Sequence, residues 1–265
     1  MPRRESLEDC AMKMKLQEVQ DRSNEMLREV VRICEKESIP YYMFYGSLLG
    51  TVRHKGMIPW DSDIDIAVPS DCYDRFSEAM ERELDEKFWW DYRSERSYPR
   101  CFGRVGAVGF DTYYLHVDIY RLIGYSGRER ADRRMSEWGH KLIRMRLVKT
   151  VNPLEYRGKK RLLVRLLKIL LFPIPLKAII RAFDRLCRRC PYEKAQIVGT
   201  QDGPAWLIEK AWLEPAQKAD YEGFSVRIPR DWDKVLKHWY GDYSTPPSGA
   251  DPQLARKKSV EIREW

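Results

Sequence analysis

The stretch Phe44-Tyr45-Gly46-Ser47-Leu48-Leu49-Gly50, with Arg53-His54-Lys55-Gly56 and Pro59-Trp60-Asp61-Ser62-Asp63-Ile64-Asp65-Ile66 after it, decides how this chain is read. The aromatic run from Tyr41 to Tyr45 predicts a short buried strand, and Gly46 lets the backbone turn sharply where a side chain would clash. Ser47 then caps a short helix through Val52, whose free N–H groups and dipole favour a phosphate. Downstream, Ile64, Ile66 and Val68 alternate with Asp63, Asp65 and Ala67. A strand here buries the aliphatics on one face and presents both carboxylates on the other. Two carboxylates at i and i+2 suit a divalent cation, so the block holds the parts that metal-assisted phosphoryl or nucleotidyl transfer needs.

Other readings of the aspartates fit less well. Counted from Asp61, a calcium loop would need Gly where Ile66 stands and Glu where Cys72 stands. A solvated turn leaves the coincidence of Gly-Ser, cations and carboxylates unexplained. A sugar-nucleotide transferase also uses Asp-x-Asp, but after a longer nucleotide-binding half than the residues before Asp61 can build. A third carboxylate is available further on, where Leu115, Val117 and Ile119 alternate with His116, Asp118 and Tyr120. That pattern makes a strand with one apolar face and one row of ionisable or hydroxyl groups.

The block from Phe44 to Val68 resembles the LicD family, which includes the fukutin-related proteins and is distantly similar to the polymerase-beta type nucleotidyltransferases. The resemblance extends to Leu115-His116-Val117-Asp118-Ile119-Tyr120, to Tyr221-Glu222-Gly223-Phe224 and to Tyr240-Gly241-Asp242-Tyr243-Ser244-Thr245-Pro246-Pro247. It implies an α+β fold, with a polymerase-beta-like core in which helices flank a small mixed sheet and to which a basic helical segment is added. It implies transfer of phosphocholine or a phospho-alditol from a CDP-linked donor to a sugar hydroxyl of a cell-surface glycan or its lipid-linked precursor, with release of CMP. In such a site Asp63 and Asp65 hold magnesium or manganese, two ions in all, while Asp118 completes the coordination or takes the proton of the attacking hydroxyl. Gly46 and Ser47 then face the donor phosphate, with Arg53, His54 and Lys55 as its cations. His54 fits a structural hydrogen bond equally well, and His116 fits either support of the metal site or ordinary packing. The histidine-containing tail frequent in the family is replaced here by Gln253-Leu254-Ala255-Arg256-Lys257-Lys258.

A chain of 265 residues with 43 % hydrophobic and 33 % charged side chains can bury a sizeable core and is not of disordered composition. Residues 1–156 read as the catalytic core with an N-terminal helix from Ser6 to about Ser38, residues 157–190 as a basic hairpin, and residues 191–265 as the part that completes the domain. Further expectations are a helix capped by Ser70 with Tyr73, Phe76, Met80 and Leu84 on its apolar stripe, and strands over 88–92, 104–108 and 113–122. Asp231 is expected to cap a helix to Trp239, and Tyr221 to Phe224 to form a turn between short strands.

The net charge of +8 is concentrated. Between Arg157 and Cys190 stand eleven Lys or Arg against Asp184 alone, so the remainder is slightly acidic. The uncharged run Ile169 to Leu176 is far short of the ~20 residues of a spanning helix. Two amphipathic helices around Pro173 and Pro175 fit better, lying on an anionic membrane surface; a helical hairpin packed on the core is the competing reading. Aromatics are nearly absent from this segment, which argues against nucleic acid as a partner. No secretory signal is evident. The six cysteines do not form a disulfide framework, so the expected place is the cytoplasm, peripheral on the inner face of the membrane. Cys187 and Cys190 have zinc-ligand spacing without a second pair. A nucleotidyltransferase moving NMP from an NTP, or a membrane-surface module without catalysis, would use subsets of the same features.

Overall fold

The computed structural model describes residues 11–91, 102–110, 115–245 and 259–263. The chain enters through β1 (Ala11–Lys15) and passes directly into α1 (Leu16–Lys36). The helix expected from Ser6 therefore starts later, and residues 6–10 lie outside the described part. Met12-Lys13-Met14-Lys15 alternates with the period of a strand, and its partner lies at the other end of the chain, where Ala11 faces Arg263, 252 positions away. The rest of the helical reading holds: Val19, Met26, Leu27, Val30, Ile33 and Cys34 recur on one face and are fully buried.

β2 is only Tyr42–Met43, because Tyr45 already opens α2 (Tyr45–His54). β3 (Ile64–Pro69) follows, then a single 3₁₀ turn at Ser70–Cys72 and α3 (Tyr73–Glu83). Tyr73, Phe76 and Met80 form the buried stripe of α3, while the Ser70 side chain makes no cap. β4 (Phe88–Asp91), β5 (Gly103–Ala107) and the long β6 (His116–Tyr125) lie close to their expected places; residues 92 and 113–114 are not described.

These strands form one mixed sheet in the order β2-β3-β6-β5-β4. β3 and β6 are parallel and the other pairs antiparallel. Every residue of β6 is buried, on both faces. The apolar residues Leu115, Val117 and Ile119 are buried in the core, and the polar row His116, Asp118 and Tyr120 is buried as well.

α4 (Glu129–Thr150) leads to α5 (Gly158–Leu171) and α6 (Leu176–Cys187), the expected basic pair around a proline elbow. α6 packs on α4 through Phe183 and Leu186, beside Gly139. It is tied to the sheet by Arg121, whose guanidinium donates to Asp184 Oδ1 at 3.0 Å and lies 4.5 Å from the Tyr73 ring. The chain then returns to the sheet with β7 (Ile197–Gly199) against β6 and β8 (Ile208–Glu209) against β7.

The last third supplies the hairpin β9 (Gln217–Tyr221) and β10 (Phe224–Ile228), α7 (Trp232–Tyr240) and β11 (Ser259–Arg263), the partner of β1. Glu222 and Gly223 turn the hairpin at φ +48° and +73°, the two positive values that a two-residue turn of this hand needs. Asp231 precedes α7 as foreseen, but its carboxylate pairs with Arg230 and Lys234 and makes no cap. One apolar cluster runs from Met14 to Leu236, so the first and last parts of the chain share a core.

Candidate active site

The site forms where α2 meets the parallel pair β3 and β6. Tyr45 stands at φ +44°, so it makes the sharp turn that was expected of Gly46. Gly46 is required for a different reason: a Cβ there would stand 3.0 Å from Asp61 Oδ2. Ser47 is a residue of the first helical turn, not a cap. Its Oγ accepts the Asp65 N–H at 2.8 Å, which ties α2 to β3 and leaves the hydroxyl proton to donate. Gln20, buried on α1, fixes the intervening loop by donating to the carbonyls of Ile58 at 3.1 Å and Asp61 at 2.8 Å.

Asp65 and Asp118 are register partners on adjacent parallel strands, so their side chains leave the sheet on the same face. Burial first, then the charges of Asp63, Asp118, Asp61 and Asp202, pushes the Asp65 carboxyl well above the usual range. Asp61 is lifted to about 8 by burial and by Asp63. Asp65 Oδ1 is buried without a hydrogen-bond partner. Oxygen ligands that repel one another in a low-dielectric place are a donor set for a hard cation. Among the described residues no three His, Cys, Asp or Glu side chains already form a metal cluster. Magnesium asks for less, since it is commonly held by one or two carboxylates together with substrate phosphates. The Asp65 carboxylate, with Oδ1 unpartnered and Asp61 or Asp63 near it, is compatible with that smaller requirement.

Asp118 has a partner that the sequence did not reveal. It is 1 % exposed, and its carboxylate receives Arg104 Nε at 2.6 Å and the second guanidinium nitrogen at 3.1 Å. Arg104 is its register partner on β5. His116 Nε2 lies 3.6 Å from Asp118 Oδ2, beside the carboxylate.

Gly46, Ser47, Asp63, Asp65 and Asp118 are thus gathered in one place. The backbones of Arg53, His54 and Lys55 lie at the opposite end of α2, about 10 Å along its axis from Gly46. There Arg53 donates to the Tyr243 carbonyl at 2.9 Å, and its other terminal nitrogen is buried without a partner. The exposed His54 is held below the usual imidazole range by desolvation and by Arg53. Lys55 is exposed, and its carbonyl accepts the Glu222 N–H at 2.8 Å, so the hairpin turn braces this end of α2.

Some neighbours of the site carried no sequence signal. Asp202, just beyond β7, accepts Tyr45 Oη at 3.0 Å and Thr200 Oγ1 at 3.1 Å. The Tyr240 phenol is raised by burial and by the charges of Asp65 and Asp61. Phe44, Tyr45, Trp206 and Trp239 form an aromatic wall around this group, with ring centroids 4.6–5.8 Å apart. Phe44, Tyr45, Asp61 and Tyr240 stood in stretches already singled out in the sequence, whereas Asp202 did not. Cys187, by contrast, is packed in an apolar cluster with Phe183, Met135 and Tyr125. The replaced tail, residues 253–258, lies outside the described residues.

Residues 38–160 match the family described as LicD/FKTN/FKRP, nucleotidyltransferase domain. Over 56 residues the chain is 43 % identical to the lipopolysaccharide cholinephosphotransferase LicD of Haemophilus influenzae, covering 21 % of each protein. Over 101 residues it is 32 % identical to the ribitol 5-phosphate transferase FKRP of Homo sapiens, covering 36 % of this chain and 19 % of the relative. The matches thus span about a fifth of the curated relatives' length. A solved structure of terminal uridylyl transferase 4 from Trypanosoma brucei with bound CTP covers 64 % of the chain and 56 % of its own, at 15 % identity and a TM-score of 0.23, too low to bear on the fold. The stretch that builds α2, β3 and β6 falls within the matched residues 38–160, which are similar to the LicD/FKTN/FKRP nucleotidyltransferase domain.

Proposed function

We propose that the protein transfers phosphocholine or a phospho-alditol from a CDP-linked donor to a sugar hydroxyl of a cell-surface glycan or its lipid-linked precursor, releasing CMP. The observation that carries this reading is the register pairing of Asp65 with Asp118, next to Asp61 and with Asp65 Oδ1 unpartnered. The two relatives named for cholinephosphate and ribitol phosphate transfer support the substrate class.

Asp63 and Asp65, with Asp61 alongside, would hold magnesium. The ion, when bound, neutralises charge on the donor diphosphate and the departing CMP. The Ser47 hydroxyl, with its lone pair already committed to the Asp65 amide, donates its proton to a phosphate oxygen. Gly46 keeps the space next to Asp61 free of side-chain atoms. Arg104 occupies both oxygens of Asp118, and its charge disfavours a dication beside that carboxylate. Asp118 either completes the coordination of the ion or accepts the attacking hydroxyl's proton. Arg104 acts on the reaction through Asp118, as a positioning residue.

A mass-spectrometric screen of CDP-choline, CDP-ribitol and CDP-glycerol with magnesium and sugar acceptors tests the proposal. CMP appearing in step with a phospho-substituted sugar supports it. Release of pyrophosphate from an NTP, with none of the CDP donors consumed, would replace it with nucleotidyl transfer.

A further inference from the structure

α5 is anomalous for a helix of a folded domain, because none of its residues is buried. Its half-buried side chains Arg161, Val164, Leu167, Lys168 and Leu171 form one stripe, held down by Lys168 Nζ on the Val151 carbonyl at 2.6 Å and Lys149 Nζ on the Leu171 carbonyl at 2.8 Å. On the opposite side Leu162, Leu163, Leu166, Ile169 and Leu170 follow one another at helical spacing, continued by Phe172 in the elbow. Ile169 and Leu170 are 71 % exposed and Phe172 83 %, and no other helix among the described residues carries so many exposed aliphatics on one face. Lys159, Lys160 and Arg165 border the apolar stripe, and no acidic residue occurs from Arg157 to Phe183. An apolar ridge rimmed only by cations matches an anionic lipid interface: the aliphatics enter the acyl boundary and the ammonium and guanidinium groups reach the headgroups. The helix is too short and too charged to cross, and none of the described helices is long and apolar enough to do so.

We infer that the exposed face of α5, with Phe172, docks the protein on the surface of an anionic lipid bilayer. This inference stands apart from the reaction assigned above, but it bears on it through α4. Glu137, His140, Lys141 and Arg144 of α4 line a cleft of about 240 Å³ with Asp202, the carboxylate bonded to Tyr45. From His140 to the end of α4 at Thr150 is about 15 Å along the helix. α4 thus connects the helix that bears the docking face to a cleft that includes Asp202.

The test is co-sedimentation of the full chain with phosphatidylcholine vesicles containing or lacking phosphatidylglycerol. Binding is expected only to the anionic vesicles, lowered at least about tenfold by Leu166→Glu/Ile169→Glu and by Lys160→Glu/Arg165→Glu. All four positions are exposed, so thermal melting of both variants should match the parent and show that a loss of binding is not a loss of fold. The inference is overturned if the parent does not sediment with anionic vesicles or if both variants bind as it does. It is equally overturned if sedimentation velocity shows a dimer that Leu166→Glu/Ile169→Glu dissociates, for the face then belongs to a second copy of the chain.

Discussion

Asp61 and Asp65 are carboxyls whose folded environment favours the proton, which gives the protein a pH dependence opposite to the usual one for acids. Because their folded pKa values are raised, their contribution to stability is complete below the unfolded value near 4 and is lost as pH rises through the folded value, about 8 for Asp61. Without divalent cation the melting temperature should fall between pH 5 and pH 9, and magnesium should restore it at the alkaline end. A melting temperature that rises across this interval in the absence of metal would contradict the site's electrostatics. Arg104 makes a separate prediction. Removing it leaves Asp118 buried beside other carboxylates, so Arg104→Ala should destabilise by about 3–5 kcal/mol in denaturant unfolding. The double change Arg104→Ala/Asp118→Ala should recover part of that loss. Reading these residues from sequence succeeds only where the cause is local. Asp65 alternates with aliphatics along β3 and Asp63 stands just before that strand, a spacing visible in the chain itself. Arg104 and Asp202 reach the site through strand pairings 14 or more residues away, and nothing next to them in sequence signals that.

At the scale of elements, the hairpin from Gln217 to Ile228 shows when a short motif suffices. Glu222-Gly223 offers the positive φ pair of a tight turn, and β9 and β10 close around it with Tyr221 opposite Phe224. Gly223→Ala should cost about 1–2 kcal/mol through its φ of +73°, measured by denaturant unfolding. Since Glu222 N–H donates to the Lys55 carbonyl, the same change should also loosen the C-terminal end of α2, seen as faster amide exchange there. The basic pair α5 and α6 was legible too, from charge pattern and prolines. α2 was legible in extent but not in its start. Gly46 suggested itself as the turning residue, yet the left-handed position is Tyr45, held there by the aromatic wall, and the glycine serves the approach of Asp61. The opening strand β1 was misread as helix because its partner β11 lies at the far end of the chain.

Over the whole molecule, the single large apolar cluster ties the motif block to the last third: Trp239 packs on Phe44 at 4.6 Å, and β7 extends the sheet from β6. A chain ending at residue 190 should therefore lack the cooperative unfolding transition that the full chain shows by circular dichroism. The basic hairpin stands outside that cluster, with α6 anchored in a smaller one and α5 almost unburied. The described residues thus form one large packed body, to which the basic helices add a smaller cluster. The central claim is that the carboxylates around Asp65 drive phospho-substituent transfer, and the most direct measurement is CMP release from a CDP-linked donor by the parent and by Asp65→Asn. The variant should keep the parent's fold, and in metal-free buffer at pH 8 be at least as stable, while CMP release falls at least about a thousandfold. Product formation by a folded Asp65→Asn protein at the parent's rate would contradict the account.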